Sequence, residues 1–465
     1  MPQNNIQISE QQEYTELLKS IILSRKRGAV PLAYTHTYGC QGNVADGERI
    51  NGMLSEIGFG FAERPEDADL ILYNTCAVRE HAEDRVFGNV GALKNLKRRF
   101  PSTIIVLCGC MMQQEHVAAR IQKSFPFVNL VFGTHALPRF PELLFKVITG
   151  GRRVFEIADS EGAITEGLPI HRDGEFKAWV PIMYGCNNFC TYCIVPHVRG
   201  RERSREPQII LDEIQGLVSA GYKDITLLGQ NVNSYGKTLA EPLSFAELLR
   251  QIALIEGDFW IRFMTSHPKD CNQELLEVMA SSTKIAKHLH LPFQSGSNKI
   301  LTAMNRKYTI EHYLELAAKA KELMPELCIT SDIIVGFPNE ERADFLQTLE
   351  VLRRVEFASL FTFIFSPRKG TPAAEMEDSL PHEEKAKWFA ELLKAQEEYS
   401  AKVTNRLLGK ELKVLVDSQS ESGILKGRTE GNIIIELEGD ASLIGSFVKV
   451  EVTQAKTWVI KGEIL

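Results

Sequence analysis

A strand–helix rhythm, repeated six times, constrains the fold of this chain more than any other feature of its sequence. Each repeat begins with a short apolar, β-branched run and continues into a segment with apolar residues at helical spacing. In the first repeat, Ile214 and Leu217 share a helix face, Pro207 lies near its start and Gly221 follows its end. Strands joined by helices run parallel, so six units predict a partial β/α barrel with its chemistry at the carboxyl ends of the strands. The predicted strands are 179–185, 224–231, 259–266, 288–295, 328–338 and 357–366.

The preceding region shows the same alternation and predicts an α/β layer with a mostly parallel sheet. Ile50, Met53 and Ile57 lie on one face of a predicted helix that stops at Gly58. The predicted strands are 32–38, 69–74, 103–109 and 127–133.

Changes in composition predict where the domains begin and end. Residues 159–178 are polar and irregular, which favours a boundary, and residues 381–408 read as a charged connecting helix. From Glu411 onward, five short strands separated by Gly, Asp and Ser predict a small, OB-like β-barrel. The predicted parts are an N-terminal extension (1–29), the α/β domain (30–158), the partial barrel (172–400) and the C-terminal barrel (401–465).

The composition is that of a globular protein and excludes several classes. Of the 465 residues, 44% are hydrophobic and 24% are charged. The polar N-terminus lacks the apolar region of a secretory signal, and no apolar run approaches the length of a membrane span. We therefore expect a cytoplasmic protein with no membrane partner. The net charge of −7 gives no global sign of nucleic acid binding, and the local basic runs 94–99 and 199–205 are typical of solvated faces.

Three closely spaced cysteines directly after the first barrel strand predict a metal centre. Cys186, Cys190 and Cys193 are soft thiolate ligands, suited to an iron–sulfur cluster or zinc. A structural zinc site would need a fourth ligand, for which His197 is the local candidate. Three ligands at the mouth of a barrel would instead leave one iron open to a substrate, as a catalytic site requires.

A second set of cysteines is indicated by position rather than by spacing. Cys40, Cys76 and Cys110 each lie just beyond the carboxyl end of a predicted strand in the α/β domain. Because these ends share one edge of a parallel sheet, the three thiols are predicted to converge on a second cluster. The alternative is three buried core cysteines. The remaining cysteines, predicted to be structural, are Cys108, Cys271 and Cys328.

The stretch "CNNFCTYC" resembles the CxxxCxxC signature of radical S-adenosylmethionine (SAM) enzymes, including the aromatic Tyr192 before the last cysteine. The resemblance implies a 4Fe–4S cluster whose open iron binds SAM and which cleaves SAM to a 5′-deoxyadenosyl radical. With the second triad and the C-terminal β-domain, the architecture resembles the radical SAM methylthiotransferase family. In that family the β-domain, called TRAM, binds RNA. A second 4Fe–4S cluster, held by the counterparts of Cys40, Cys76 and Cys110, supplies the transferred sulfur.

Within the family, the sequence resembles the branch that methylthiolates C2 of N6-isopentenyladenosine in tRNA. Two departures from the branch pattern, Gly42 for Met and Gly47 for Ser, remove no ligand. The resemblance implies two SAM per turnover, a tRNA anticodon stem–loop, a reducing electron donor and a sulfur or cluster supply protein. The alternatives are threonylcarbamoyladenosine in tRNA, a ribosomal-protein aspartate, or a metal-bearing RNA-binding protein without catalysis. The motifs that carry the resemblance are "YGCQGNVADGERI", "CTYCIVPHVRGRERSR", "LLGQNVNSYG", "TSHP", "LPFQSGSNKIL", "DIIVGFP" and "SPRKGTPAA".

Polar residues at the ends of the barrel strands are predicted SAM contacts, with turn chemistry as the alternative for about half of them. Tyr192 is expected near the adenine. The arginines that alternate after the cluster loop are predicted to hold the carboxylate of SAM or tRNA phosphates. Residues 366–373 are expected to border the pocket for the modified base. The strand-end residues are Gly229, Gln230, Asn231, Gln294, Ser295, Gly296, Asp332 and Gly336, and the arginines are Arg199, Arg201, Arg203 and Arg205.

Overall fold

The computed structural model describes residues 2–25, 29–77, 80–157 and 164–465. The chain divides into two compact units. The first comprises Met1–Asp173, Tyr184–Asn187 and Ile194–Arg203, and the second comprises Gly174–Met183, Asn188–Cys193 and Ser204–Leu465. The predicted end of the α/β domain at residue 158 lies outside the described residues. No helix in the described part of the chain is long and apolar enough to cross a membrane.

The first unit is built on a six-stranded sheet in which every strand pair is parallel. The strands are β1 (Leu32–Thr37), β2 (Gly60–Phe61), β3 (Leu70–Thr75), β4 (Ile104–Gly109), β5 (Leu130–Phe132) and β6 (Val154–Glu156). Their order in the sheet is β2-β1-β3-β4-β5-β6. The helices are α1 (Pro2–Arg25), α2 (Gln41–Ile57), α3 (Glu80–Arg99), α4 (Glu115–Ser124) and α5 (Phe140–Gly150).

Apolar helix faces cover the sheet and explain its all-parallel pairing. Ile50 and Met53 of α2 are buried in an apolar cluster of this unit. The helix ends at Gly58, whose left-handed φ of 102° lets its N–H reach the last carbonyls. Helix α1 was not predicted, yet Leu18 and Ile22 bury it in the same cluster as α2.

The second unit contains the six parallel strands of the expected partial barrel. Their ranges are β7 (Lys177–Pro181), β10 (Asp224–Leu228), β11 (Trp260–Phe263), β12 (His288–His290), β13 (Cys328–Val335) and β14 (Ser359–Ile364). Two parallel sheets, β7-β10-β11 and β12-β13-β14, are linked by one bridge between Ile261 and Ile285. The other elements of this stretch are β8 (Met183–Tyr184), α6 (Val195–Arg199), β9 (Arg203–Ser204), α7 (Pro207–Ser219), α8 (Phe245–Ala253), α9 (Gln273–Ser281), α10 (Asn298–Ala303), α11 (Ile310–Leu323), α12 (Arg342–Val355) and α13 (His382–Asn405).

A closed five-stranded β-barrel ends the second unit, as the sequence predicts. Its strands are β15 (Glu411–Gln419), β16 (Leu425–Thr429), β17 (Ile434–Leu437), β18 (Phe447–Ala455) and β19 (Val459–Ile464), in the order β15-β16-β17-β19-β18. Arg262 of β11 fastens it to the partial barrel, because its guanidinium donates to the carbonyls of Thr429 and Glu430. Trp260 adds an edge-to-face ring contact with Phe447. The predicted mixed α/β architecture with a small β-barrel is confirmed.

Candidate cluster and SAM sites

The three cysteines of the second triad lie together at the carboxyl edge of the first sheet. Cys76 and Cys110 directly follow β3 and β4, and Cys40 lies three residues after the end of β1, at the start of α2. These three strands are neighbours in the sheet. The amide oxygen of Asn43 is 3.5 Å from the Cys40 Sγ and 3.6 Å from the Cys110 Sγ. Cys40 also hydrogen-bonds to Cys76. Two of the three cysteines therefore contact Asn43 and the third contacts Cys40, although their role as ligands stays a prediction.

The loops that carry these cysteines are held by backbone conformations and amide bonds. Gly39 (φ 109°) leaves no room for a Cβ, which would collide with Cys76. The side chain of Asn43 donates to the Thr75 carbonyl at 2.8 Å, and the side chain of Asn74 donates to the Asn43 carbonyl at 2.7 Å. These hydrogen bonds connect the loops that carry Cys40 and Cys76.

The two departures from the family pattern fit this arrangement. A Cβ at Gly47 would lie 2.6 Å from the Thr37 Oγ1, so a serine here would force a shift. Gly42 contributes a backbone N–H that favours the thiolate of Cys40. Neither departure disturbs a cysteine.

The electrostatic surroundings favour the thiolate at Cys40 and oppose it at Cys110. The hydrogen bond from Cys76 lowers the pKa of Cys40 to about 5, against the effect of burial and with help from Arg199. Burial raises the pKa of Cys110 to about 11, and Arg199 opposes that rise. Among the described residues, no three His, Cys, Asp or Glu side chains are arranged to hold one metal ion. A cubane cluster is larger than a single ion, so its thiolates stand further apart, and the soft donor set fits such a cluster.

The four arginines after the cluster loop do not form a basic stripe. Arg199 is 7% exposed and Arg205 is 4% exposed. Arg205 donates to the Pro181 carbonyl and to Glu213. The prediction that these two side chains contact tRNA phosphates is wrong, because both guanidinium groups are buried against protein acceptors. The alternative, that they hold the carboxylate of SAM, stays a prediction. Arg201 is exposed and Arg203 is half-buried, and their roles stay predictions.

The cysteines of the CxxxCxxC motif are positioned by separate backbone contacts. In the first unit, the N–H of Cys186 donates to the Gly200 carbonyl at 3.1 Å. In the second unit, the N–H of Cys193 donates to the Cys190 carbonyl at 2.9 Å. The buried guanidinium of Arg306 lies 3.4 Å from the Cys190 Sγ and donates to the Pro292 carbonyl. A fixed positive charge therefore accompanies a predicted cluster ligand.

Three buried polar atoms at the carboxyl ends of β10 and β11 have no hydrogen-bond partner among the residues that the structure describes. They are the Asn231 Oδ1, the Ser266 Oγ and the His267 Nε2, in residues that are at most 4% exposed. The N–H of Lys269 donates to the His267 Nδ1 at 3.2 Å, so the ring proton resides on Nε2. Burial, followed by Arg306, strongly lowers the pKa of His267 and keeps the ring neutral. The strand ends thus carry two unpaired donors and one unpaired acceptor.

Sequence reasoning placed only Asn231 among these contacts. Ser266 and His267 belong to "TSHP", which served as a family motif without an assigned role. Their position after the third barrel strand is the signal that could have identified them.

The other predicted SAM contacts lie at strand ends in the second unit. Gln294 adopts φ 68° and its backbone pairs with Asp332 and Ile334, whereas Ser295 is fully buried. The Asp332 carboxylate is 3.6 Å from the His290 Nε2. These contacts describe structural roles, and SAM binding by these residues stays a prediction.

Two further predicted contacts lie near a buried carboxyl group. The backbone N–H of Gly336 donates to the Glu340 carboxylate at 2.5 Å. The ring of Tyr192 packs edge-to-face on Phe337, with centroids 6.5 Å apart. Gly229 closes against Met183, whose Cγ would lie 2.5 Å from an added Cβ. Gln230 follows Gly229 and is half-buried.

Comparisons with known proteins agree with this architecture. Residues 180–352 match the Radical SAM superfamily, residues 33–133 match Uncharacterized protein family UPF0004, and residues 405–465 match the TRAM domain. The structure of the radical S-adenosylmethionine methyltransferase TsrM from Kitasatospora setae, with tryptophan and a SAM analog, has a TM-score of 0.52 and 15% identity. The matched region spans 74% of this chain and 75% of the TsrM chain. The fold and cysteine sites define a radical SAM protein with a TRAM domain.

Two curated relatives narrow this class. A tRNA-2-methylthio-N(6)-dimethylallyladenosine synthase from Acetivibrio thermocellus is 48% identical over 99% of this chain and 96% of that protein. A protein of the same name from Thermoanaerobacter sp. is 46% identical over 100% of this chain and 99% of that protein. The chain belongs to the family of tRNA-2-methylthio-N(6)-dimethylallyladenosine synthases, radical SAM transferases that use SAM and 4Fe–4S clusters. The family and cofactor predictions are confirmed.

Proposed function

We propose that this protein adds a methylthio group to C2 of N6-isopentenyladenosine beside the anticodon of tRNA. The names of its relatives support the substrate. The observation that carries the proposal is the convergence of three cysteines, in which Asn43 contacts Cys40 and Cys110 and Cys76 hydrogen-bonds to Cys40. A radical SAM enzyme needs only one set of cluster ligands to make a radical, so a second thiol set suits sulfur insertion.

In this proposal, each cysteine triad has a separate task. Cys186, Cys190 and Cys193 hold the cluster that binds SAM, and the converged triad holds the auxiliary cluster. When bound, these groups and two SAM supply a carbon radical, a methyl group and a sulfur, chemistry that side chains cannot perform at an unactivated C–H bond. The protein's own part is to bind, orient and shield the reactants.

The orphaned polar atoms after β10 and β11 are complementary to the methionine end of SAM. The Ser266 Oγ–H and His267 Nε2–H can donate to a carboxylate, and the Asn231 Oδ1 can accept from an ammonium group. The buried Arg306 lies close enough to His267 to lower its pKa, so it adds positive charge where the carboxylate of SAM would bind. We therefore assign these three residues to the amino acid moiety of SAM.

The tRNA partner is expected to meet the protein through its single-stranded anticodon loop, because unpaired bases can enter a pocket without melting a duplex. Exposed aromatic side chains offer stacking surfaces, with Phe361 46% exposed on β14 and Trp458 45% exposed in the C-terminal barrel. A tRNA substrate places the reaction in the cytoplasm. An electron donor and a sulfur or cluster supply protein complete the proposed partners.

Nucleoside mass spectrometry of tRNA from a host lacking its own enzyme tests the proposal. Restoring the wild-type chain should convert isopentenyladenosine to its 2-methylthio form. Cys110→Ser should abolish the product but leave reductive SAM cleavage intact. Cys108→Ser is the matched control, because Cys108 is buried in β4 two residues earlier and should leave the product unchanged. Unmodified isopentenyladenosine with the wild-type chain, or full product with Cys110→Ser, would contradict the proposal.

A further inference from the structure

A buried ion pair between Arg199 and Asp46 lies beside Cys110, one of the three cysteines of the second triad. The Arg199 Nη2 is 2.7 Å from the Asp46 Oδ2, and both side chains are 8% exposed. The Arg199 Nε–H donates to the Cys110 Sγ at 3.1 Å. Its Nη2 also lies 3.2 Å from the Asn43 Oδ1, the atom that contacts two of the thiols. The guanidinium of Arg199 therefore contacts a predicted ligand (Cys110), the side-chain amide of Asn43 and the carboxylate of Asp46.

Fold stability does not account for this arrangement. A buried Arg–Asp pair often contributes little net stability, because the desolvation of both charges offsets their attraction. A pair that served only to fill the core would also not require an N–H directed at sulfur. The chain delivers Arg199 from α6, at the end of the loop that follows Cys193. The next residue, Gly200, accepts the N–H of Cys186.

We infer that Arg199 and Asp46 together set the reduction potential of the auxiliary cluster, with Arg199 acting as a positioning residue through Cys110. The inference rests on the proposed function, which places a cluster on this triad. Hydrogen bonds and fixed charges at thiolate ligands are the means by which proteins adjust cluster potentials. A cation at Cys110 favours the reduced, more negative state, and Asp46 moderates that effect.

The proposed reaction gives this adjustment a purpose. When the C2 radical bonds to the methylthiolate sulfur, the new bond takes the unpaired electron of the radical and one electron from a sulfur pair. The second electron of that pair would be left on the cluster that Cys40, Cys76 and Cys110 would hold, and no proton or further reactant would be needed. Stabilising the extra negative charge therefore assists product formation.

The test measures the midpoint potential of the auxiliary cluster by anaerobic redox titration followed with electron paramagnetic resonance. The full chain is used with Cys186, Cys190 and Cys193 replaced by Ala, so that one cluster gives the signal. Iron and sulfide analysis of this parent protein reports whether the auxiliary cluster is present. A parent without a cluster would overturn the proposed function, whereas a loaded parent allows the inference to be judged alone.

Opposite shifts are expected from the two members of the pair. Arg199→Gln should move the potential to a more negative value, and Asp46→Asn should move it to a more positive one. Arg199→Lys keeps the charge and should shift the potential less than Arg199→Gln. Arg139→Gln is the control, because Arg139 pairs with Glu142 and Glu156 away from the cysteines, and it should leave the potential unchanged.

A purely structural role predicts a different pattern. Loosening of the site would move the potential in the same direction for Arg199→Gln and Asp46→Asn, or in neither, and either result overturns the inference. If Arg199→Gln does not load iron, Asp46→Asn and Arg199→Lys still decide the matter. A more positive midpoint potential in Asp46→Asn and a near-parental potential in Arg199→Lys support electrostatic control. Any other pair of potentials contradicts it.

Discussion

Replacing Arg262 by Met should lower both the stability of the second unit and the affinity of the protein for tRNA. The Arg262 Nε donates to both oxygens of Asp224 at 3.1 Å, and its Nη atoms donate to two carbonyls of the C-terminal barrel at 2.7 and 2.9 Å. The side chains of Arg262 and Asp224 are 6% and 7% exposed. Met retains the apolar stem but leaves the carboxylate buried and unpaired.

The expected cost follows from that unpaired charge. Removing one partner of a buried ion pair typically destabilises a protein by about 3–5 kcal/mol. At roughly 2–4 °C per kcal/mol for a large domain, the melting temperature should fall by about 6–20 °C. The C-terminal barrel also loses its anchor, so tRNA affinity should weaken even below the melting temperature.

Thermal unfolding and tRNA binding of the full chain measure the two effects. Arg262→Met combined with Asp224→Asn should recover part of the stability, because the buried charge is gone. Arg250→Met is the matched control, since Arg250 also contacts two carboxylates but lies exposed, at 44%, and should change little. Wild-type melting of Arg262→Met, or no recovery in the double variant, would refute the reasoning.

Two further changes test the SAM site and its surroundings. His267→Asn keeps an acceptor for the Lys269 N–H but removes the Nε2 donor. SAM binding to the cluster-loaded protein, measured by equilibrium dialysis, should weaken roughly 10- to 150-fold, and an unchanged affinity would contradict the assignment. Burial raises the pKa of Glu340 to about 7 from 4.5, against its backbone N–H bonds and with Asp344 and Lys385 nearby. Because the folded state favours the protonated form, about 3 kcal/mol of stability should be lost as pH rises from 4.5 through 7. Glu340→Gln should flatten that slope in denaturant titrations, whereas equal slopes would refute it.

The positions of the cysteines were predictable because a topological rule governs them. Cys40, Cys76 and Cys110 are far apart in sequence, but parallel strands bring their carboxyl ends to one edge, and this rule needs only the strand pattern. The contact of Asn43 with both Cys40 and Cys110 was not predictable. An amide within a helical stretch carries no pattern, and its role depends on side-chain directions that only packing determines.

Burial of charge explains what the sequence could not reveal about the arginines. Arg199 and Arg205 belong to a run of basic residues that is typical of a solvated face, yet both are buried. Arg199 forms an ion pair with Asp46, and Arg205 forms one with Glu213. These partners come from separate helices, α2 and α7, so local charge patterns do not report them. Helix α1 was missed for a related reason, because Gln11 and Thr15 occupy part of its buried face and hide the apolar period.

A buried arginine contacts a cysteine in each unit, but the two differ in how their charge is compensated. Arg199 is paired with Asp46, so its site is already near neutrality. Arg306 donates to Tyr308, to the Pro292 carbonyl and to the Cys190 Sγ. Among the residues that the structure describes, no carboxylate forms an ion pair with it. Under the proposed function, the carboxylate of SAM would compensate Arg306, so the charge balance at Cys190 changes when SAM binds, whereas that at Cys110 is fixed by the protein. The proposal therefore predicts that SAM binding changes the electrostatics at Cys190 and leaves those at Cys110 unchanged.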